Sequence, residues 1–118
     1  MHAQIFLSTD NVFVSRFSLY QRVWIIDKFD KDNNCSLYGD GTGSKNWEYR
    51  PRECFITYIT IANQKGSYLY RLQPVRLTTK EERDDKTHYW DQSFYDKNIY
   101  VSEKDAMERI EKGRKNGN

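Results

Sequence analysis

The stretch Trp47-Glu48-Tyr49-Arg50-Pro51-Arg52 sets two aromatic planes beside two guanidiniums. Aromatic faces stack on bases or on a partner's side chains, and the arginine fork matches phosphate and carboxylate. A second polar-flanked aromatic pair, Tyr89-Trp90, follows His88. Trp and Tyr combine an apolar body with a polar edge, which suits them to a docking surface and equally to a small core. The candidate ligand-binding residues are therefore Trp47, Tyr49, Arg50, Arg52, Tyr89 and Trp90.

Other arrangements lack parts that their chemistry needs. Asp30-Lys31-Asp32-Asn33-Asn34 matches the opening of a calcium loop of EF-hand type, but Cys35 stands where the sharp turn needs Gly. Gly41 stands where a bidentate Glu should complete the shell. An Asp/Asn-rich β-turn is the simpler reading. The glycine run from Gly39 to Gly43, followed by Ser44, lacks the spacing and the Lys of a phosphate loop. Cys35, Cys54, His2 and His88 have no local metal-ligand spacing, and nothing pairs a cysteine with a histidine as nucleophile and base. The sequence therefore calls for no catalytic residue, no metal and no cofactor.

The elements that must position the candidates can be read from composition and pattern. The chain has 118 residues, room for a single domain over 1–118. Its 19 basic and 17 acidic side chains leave a net charge of +2, which argues against a polybasic arm. No apolar run reaches membrane-spanning length, and the N-terminus lacks the basic start of a secretory signal. The expected location is therefore cytoplasmic, where two cysteines, too few for a disulfide framework, are expected reduced. Nine Tyr, six Phe and three Trp favour pleated sheet over a leucine-rich bundle.

Along the chain, 4–8 and 12–17 read as a hairpin, although Phe13, Phe17, Tyr20 and Trp24 also fit helical spacing. Residues 20–29 read as a strand that is apolar on both faces, and 30–48 as a long irregular loop. Residues 53–62 and 67–73 form the clearest hairpin, with Gly66 at its turn and Pro74 marking an edge or bulge. The all-charged run 80–86 reads as a solvated loop or one helical turn. Ile99–Val101 reads as a last short strand. Ser102 then caps a helix with Ala106, Met107 and Ile110 as its apolar stripe, Gly113 as its stop and 114–118 as a frayed tail.

The expected fold class is mainly β (α+β): a small curled antiparallel sheet of SH3-like barrel type with a C-terminal α-helix. Val23-Trp24, the glycine-containing stretch into Arg50-Pro51, and Pro74 with Thr78-Thr79 look similar in order to ribonuclease toxins of the MazF type. That resemblance implies an SH3-like barrel and a catalytic role for Arg50 and for Thr78 or Thr79. Gln21-Arg22 stands where the family has Gly-Asp. From the residues themselves, the leading reading is a non-enzymatic intracellular module that contacts a protein partner through an aromatic and arginine surface. Binding of single-stranded nucleic acid by stacking is the alternative, with little counterion-release affinity from a charge of +2. A homo-oligomer through the edge of the hairpin bearing Tyr68, Tyr70 and Pro74 is a further expectation. Small standalone domains of this kind suit a phage or mobile element.

Overall fold

A computed structural model of the chain describes residues 5–7, 12–36, 46–61, 67–83 and 93–115. The first hairpin pairs β1 (Ile5–Leu7) with β2 (Val12–Val14), so β-branched preference prevails there over the competing helical spacing. The remaining strands are β3 (Arg22–Asp30), β4 (Cys35–Ser36), β5 (Trp47–Ile61), β6 (Tyr68–Pro74) and β7 (Ser93–Tyr95). They form one antiparallel sheet in the order β4-β3-β5-β6-β7. Two helices complete the fold, α1 (Thr79–Arg83) and the C-terminal α2 (Glu103–Lys115). The result is a small curled sheet, a half-barrel, with a helix at its C-terminal end.

β5 runs the length of the sheet and explains its curl. It spans 15 residues and carries a bulge between Ile56 and Tyr58, which increases local twist. Its lower half pairs with β3 and its upper half with β6. Pro51 is tolerated inside it because β6 reaches β5 only from Cys54 onward, so β5 has a single strand neighbour at the proline. Pro74 is placed similarly at the end of β6, beyond the three residues that β7 pairs. β6 itself is an interior strand with Tyr68, Tyr70 and Pro74 buried, so this hairpin is not the free edge expected from sequence.

The core lies on one face of the sheet. Val23 and Ile25 of β3, Cys54 and Ile56 of β5, Tyr70 and Leu72 of β6, and Phe17, Phe94 and Ile99 pack together there. Phe17 meets the Tyr70 ring edge-on at 5.3 Å, and the Tyr70 hydroxyl accepts from the Arg16 and Phe17 amides at 3.0 and 3.4 Å. Both cysteines are buried and unbridged.

The Asp/Asn-rich segment makes the β3–β4 turn. Asp30 Oδ1 accepts from the amides of Asp32 and Asn33, and Asn34 takes the left-handed backbone (φ 54°) that Asn tolerates. Within 30–48, β4 thus folds back on β3 and β5 already begins at Trp47. At the other end of β3, Trp24 exchanges two backbone hydrogen bonds with Tyr100, where sequence suggested a short strand. The helix α2 follows directly, with the Ser102 hydroxyl accepting from the Asp105 amide as its N-cap. It buries Ala106 and Ile110 and lies against β3 and β5. Gly66 and residues 84–86 and 116–118 fall outside the described residues.

Gly113 does not stop the helix, which continues to Lys115. A Cβ placed there would meet only the Arg109 guanidinium, at 3.9 Å. Gly113→Ala is therefore expected to stabilise the fold by about 0.5–1 kcal/mol through helix propensity. Thermal unfolding should show Tm raised by about 2–5 °C.

Candidate functional site

Strand geometry divides the Trp47–Arg52 stretch. Successive side chains of a strand point to opposite faces, so Trp47 and Tyr49 fall on one side of β5 and Arg50 and Arg52 on the other. The expected clamp of two rings and two guanidiniums is thus split by the sheet. The aromatic half faces outward, with Trp47 at 37% and Tyr49 at 48% exposure. Their rings meet edge-on at 5.0 Å, and Lys28 of β3 holds its ammonium 4.2 Å from the centre of the Trp47 ring. Lys28 is the register partner of Tyr49, which explains why these three side chains gather.

The arginine half turns inward. Arg50 is half-buried, with its guanidinium 3.3 Å from the centre of the Phe29 ring. Arg52 is 7% exposed and fully engaged with the protein. Its Nη1 donates to Glu81 Oε2 at 3.1 Å and to Asp27 Oδ2 at 3.3 Å. Its Nη2 donates to Glu81 Oε1 at 2.6 Å and to the Arg76 carbonyl at 2.8 Å. Arg52 is therefore a structural cation rather than part of an open surface. Tyr89 and Trp90 lie outside the described residues.

Glu81 is the hub of this buried cluster. Its carboxylate also accepts from the Ser36 amide at 2.9 Å and the Thr78 amide at 2.9 Å. The Glu81 amide in turn donates to the Thr78 hydroxyl at 3.2 Å, which makes Thr78 and Glu81 a reciprocal capping box for α1. Asp27 accepts from the Ser36 hydroxyl at 2.6 Å. One guanidinium and two carboxylates thus bind α1 and β4 to the inner face of β3 and β5.

The titration behaviour follows from who holds the guanidinium. Burial pushes Glu81 up, but its hydrogen bonds from Arg52, Thr78 and Ser36 outweigh that, so its carboxyl sits below the ordinary value. For Asp27 burial prevails over Ser36 and the single longer contact to Arg52, and its carboxyl sits above the ordinary value. Burial also works against the Arg52 cation, but Glu81 and Asp27 more than offset it, and its pKa rises. The Cys54 thiol is pushed far up by burial, which removes it as a nucleophile at neutral pH.

The sequence contained signals for part of this cluster. Asp27 interrupts an apolar alternation between Ile25 and Phe29, and a charge on a core face requires a partner. Thr78-Thr79-Lys80-Glu81 is itself a capping-box pattern. Nothing in an all-charged run marks which member turns inward, and among the described residues of that run Glu81, 1% exposed, departs from the solvated reading.

Two further surfaces border the site. Arg50 and Thr78 line one shallow hollow of about 400 Å³ with Trp24, Arg52, Glu53 and Arg76. The Thr78 hydroxyl is already committed there, donating to the Asn34 carbonyl at 2.6 Å and accepting from Glu81. On the outer face, Tyr49 and Ile26 line a second hollow, of about 460 Å³, beneath α2. No helix among the described residues is long and apolar enough to cross a membrane.

Removing one partner of the buried cluster leaves an uncompensated charge, so Arg52→Ala should cost about 3–5 kcal/mol in urea unfolding. Glu81→Gln should cost about 2 kcal/mol at neutral pH by losing charge-assisted bonds. A lowered carboxyl pKa stabilises above its unfolded value and loses that contribution as pH falls through the folded value. The stability gap between the native chain and Glu81→Gln should therefore be widest near pH 7 and close as the pH drops below about 4.5. A gap independent of pH would contradict the assignment. No protein-family model, curated protein or solved structure shows significant similarity to this chain.

Proposed function

We propose that the chain is a small non-enzymatic binding module that docks a protein partner on the outer face of β3 and β5. The observation that carries this reading is the Trp47–Tyr49 pair, exposed yet held in place by its edge-on contact and by Lys28. Pre-ordered aromatic side chains lose little freedom on association, and Trp and Tyr are the anchors that dominate protein interfaces. The positive charge of the surface comes from Lys28 of β3 and from Arg109 and Arg114 of α2, with Arg52 serving the buried cluster. The curl of the sheet is of the kind that closes into an SH3-like barrel, which we take as its architecture. We take its location to be the cytoplasm, a reducing compartment in which two buried thiols stay unbridged.

The test is selection from a displayed random-peptide library, run on the native chain and on the Trp47→Ala, Tyr49→Ala double variant. The native chain should enrich a consensus that the double variant, folded by circular dichroism, fails to enrich. A consensus that survives both substitutions contradicts the reading. Tighter binding of an oligo-dT strand than of any selected peptide, lost as salt rises, would replace it with single-stranded nucleic-acid binding.

A further inference from the structure

The seam between α2 and the sheet is closed at one end and open at the other. Ala106, Ile110 and Gly113 follow the spacing of one helix face, and the first two are buried. At the third position the side chain is missing, and the hollow of about 460 Å³ lies there. Ile26 and Ile110 give it apolar walls, and Tyr49, Tyr100 and Asn98 give it polar edges. Arg109 and Arg114 bring two guanidiniums to it, and no carboxylate is among its described lining residues. Arg109 leans across the glycine, with Nη1 3.9 Å from where a Cβ would stand. A glycine inside a helix costs stability, and here the space it leaves is continuous with the Tyr49 ring of the docking face.

We infer that this hollow receives an acidic side chain of the protein partner, flanked by an apolar residue, with Arg109 and Arg114 as its carboxylate-binding pair. The inference rests on the outer face being the docking face and names the chemistry that this face selects. A guanidinium meets a carboxylate through two parallel hydrogen bonds, and the apolar walls accommodate the neighbouring aliphatic or aromatic group. A polyanion fits less well. The exposed charges of the same helix are of mixed sign, Glu103, Asp105, Glu108 and Glu111 among Lys104, Arg109, Lys112 and Arg114, so no continuous basic track runs along it for a phosphate backbone, whereas one carboxylate needs only the local pair.

The test uses fluorescence anisotropy with a fluorescein-labelled peptide alternating Glu with Leu and Phe, a matched peptide with Gln for Glu, and labelled oligo-dT. The Glu peptide should bind the native chain, and the Gln peptide should bind at least about tenfold more weakly, the size expected for lost charge-assisted bonds. Gly113→Leu fills the hollow while improving helix propensity, so it should weaken the Glu peptide without unfolding the chain. Gly113→Ala should bind nearly as the native chain does, and Arg109→Gln should bind like Gly113→Leu. Equal affinity for the Glu and Gln peptides, no effect of Gly113→Leu, or binding of oligo-dT alone would overturn the inference. If Trp47→Ala and Tyr49→Ala abolish a selected consensus but Gly113→Leu does not, the hollow is wrong and the docking face stands. If the Glu peptide depends on Gly113 and Arg109 but not on the two rings, the docking face is wrong.

Discussion

A buried guanidinium shared unequally between two carboxylates organises this structure. Arg52 gives Glu81 two hydrogen bonds and Asp27 one longer contact. Through Glu81 it reaches the Ser36 amide of β4 and the cap of α1, and through Asp27 it reaches the Ser36 hydroxyl. The β3–β4 hairpin, β5 and α1 are thus bound at one point on the inner face. Such a cluster contributes little net stability over well-packed apolar residues, because each ion must be desolvated. What it supplies is a fixed arrangement, since each buried charge is tolerable only when its partners are present.

The same strand that buries Arg52 presents Trp47 and Tyr49. The period of two along β5 makes these a single event: the register that sets Arg52 diagonal to Asp27 on the inner face sends the rings to the opposite face. The β3 partner opposite Tyr49 is Lys28, and the pairing places its ammonium on Trp47. A one-residue slip would expose the guanidinium and bury the rings. The inner cluster therefore fixes which face of β5 carries the exposed rings, and α2 borders that face through the hollow at Gly113.

Much of the sheet was legible from alternation. The β5–β6 hairpin, the β3 strand, the first hairpin and the Ser102-capped helix each follow from local pattern and turn chemistry. The start of β5 was not legible, because Pro51 and the charged residues around it read as a break. That break disappears once β6 is seen to fall short of the proline. β7, three residues long, is too short to carry a pattern, and it forms because β6 offers an edge there. For the site, residue types were readable and their sides were not. The segment Trp47–Arg52 reads as one surface in sequence, but the pleat divides it. The partners of Arg52 come from β3 and α1, at sequence distances no local pattern spans.

The most direct measurement of this arrangement is the NMR signature of the Arg52 guanidinium in the folded chain. Held by Glu81, Asp27 and the Arg76 carbonyl, its Nη protons should give separate, slowly exchanging signals with couplings across the hydrogen bonds to Glu81. A single averaged signal exchanging at the rate of a surface arginine would show that the guanidinium is not locked inside, and the assignment of the two faces of β5 would fall with it.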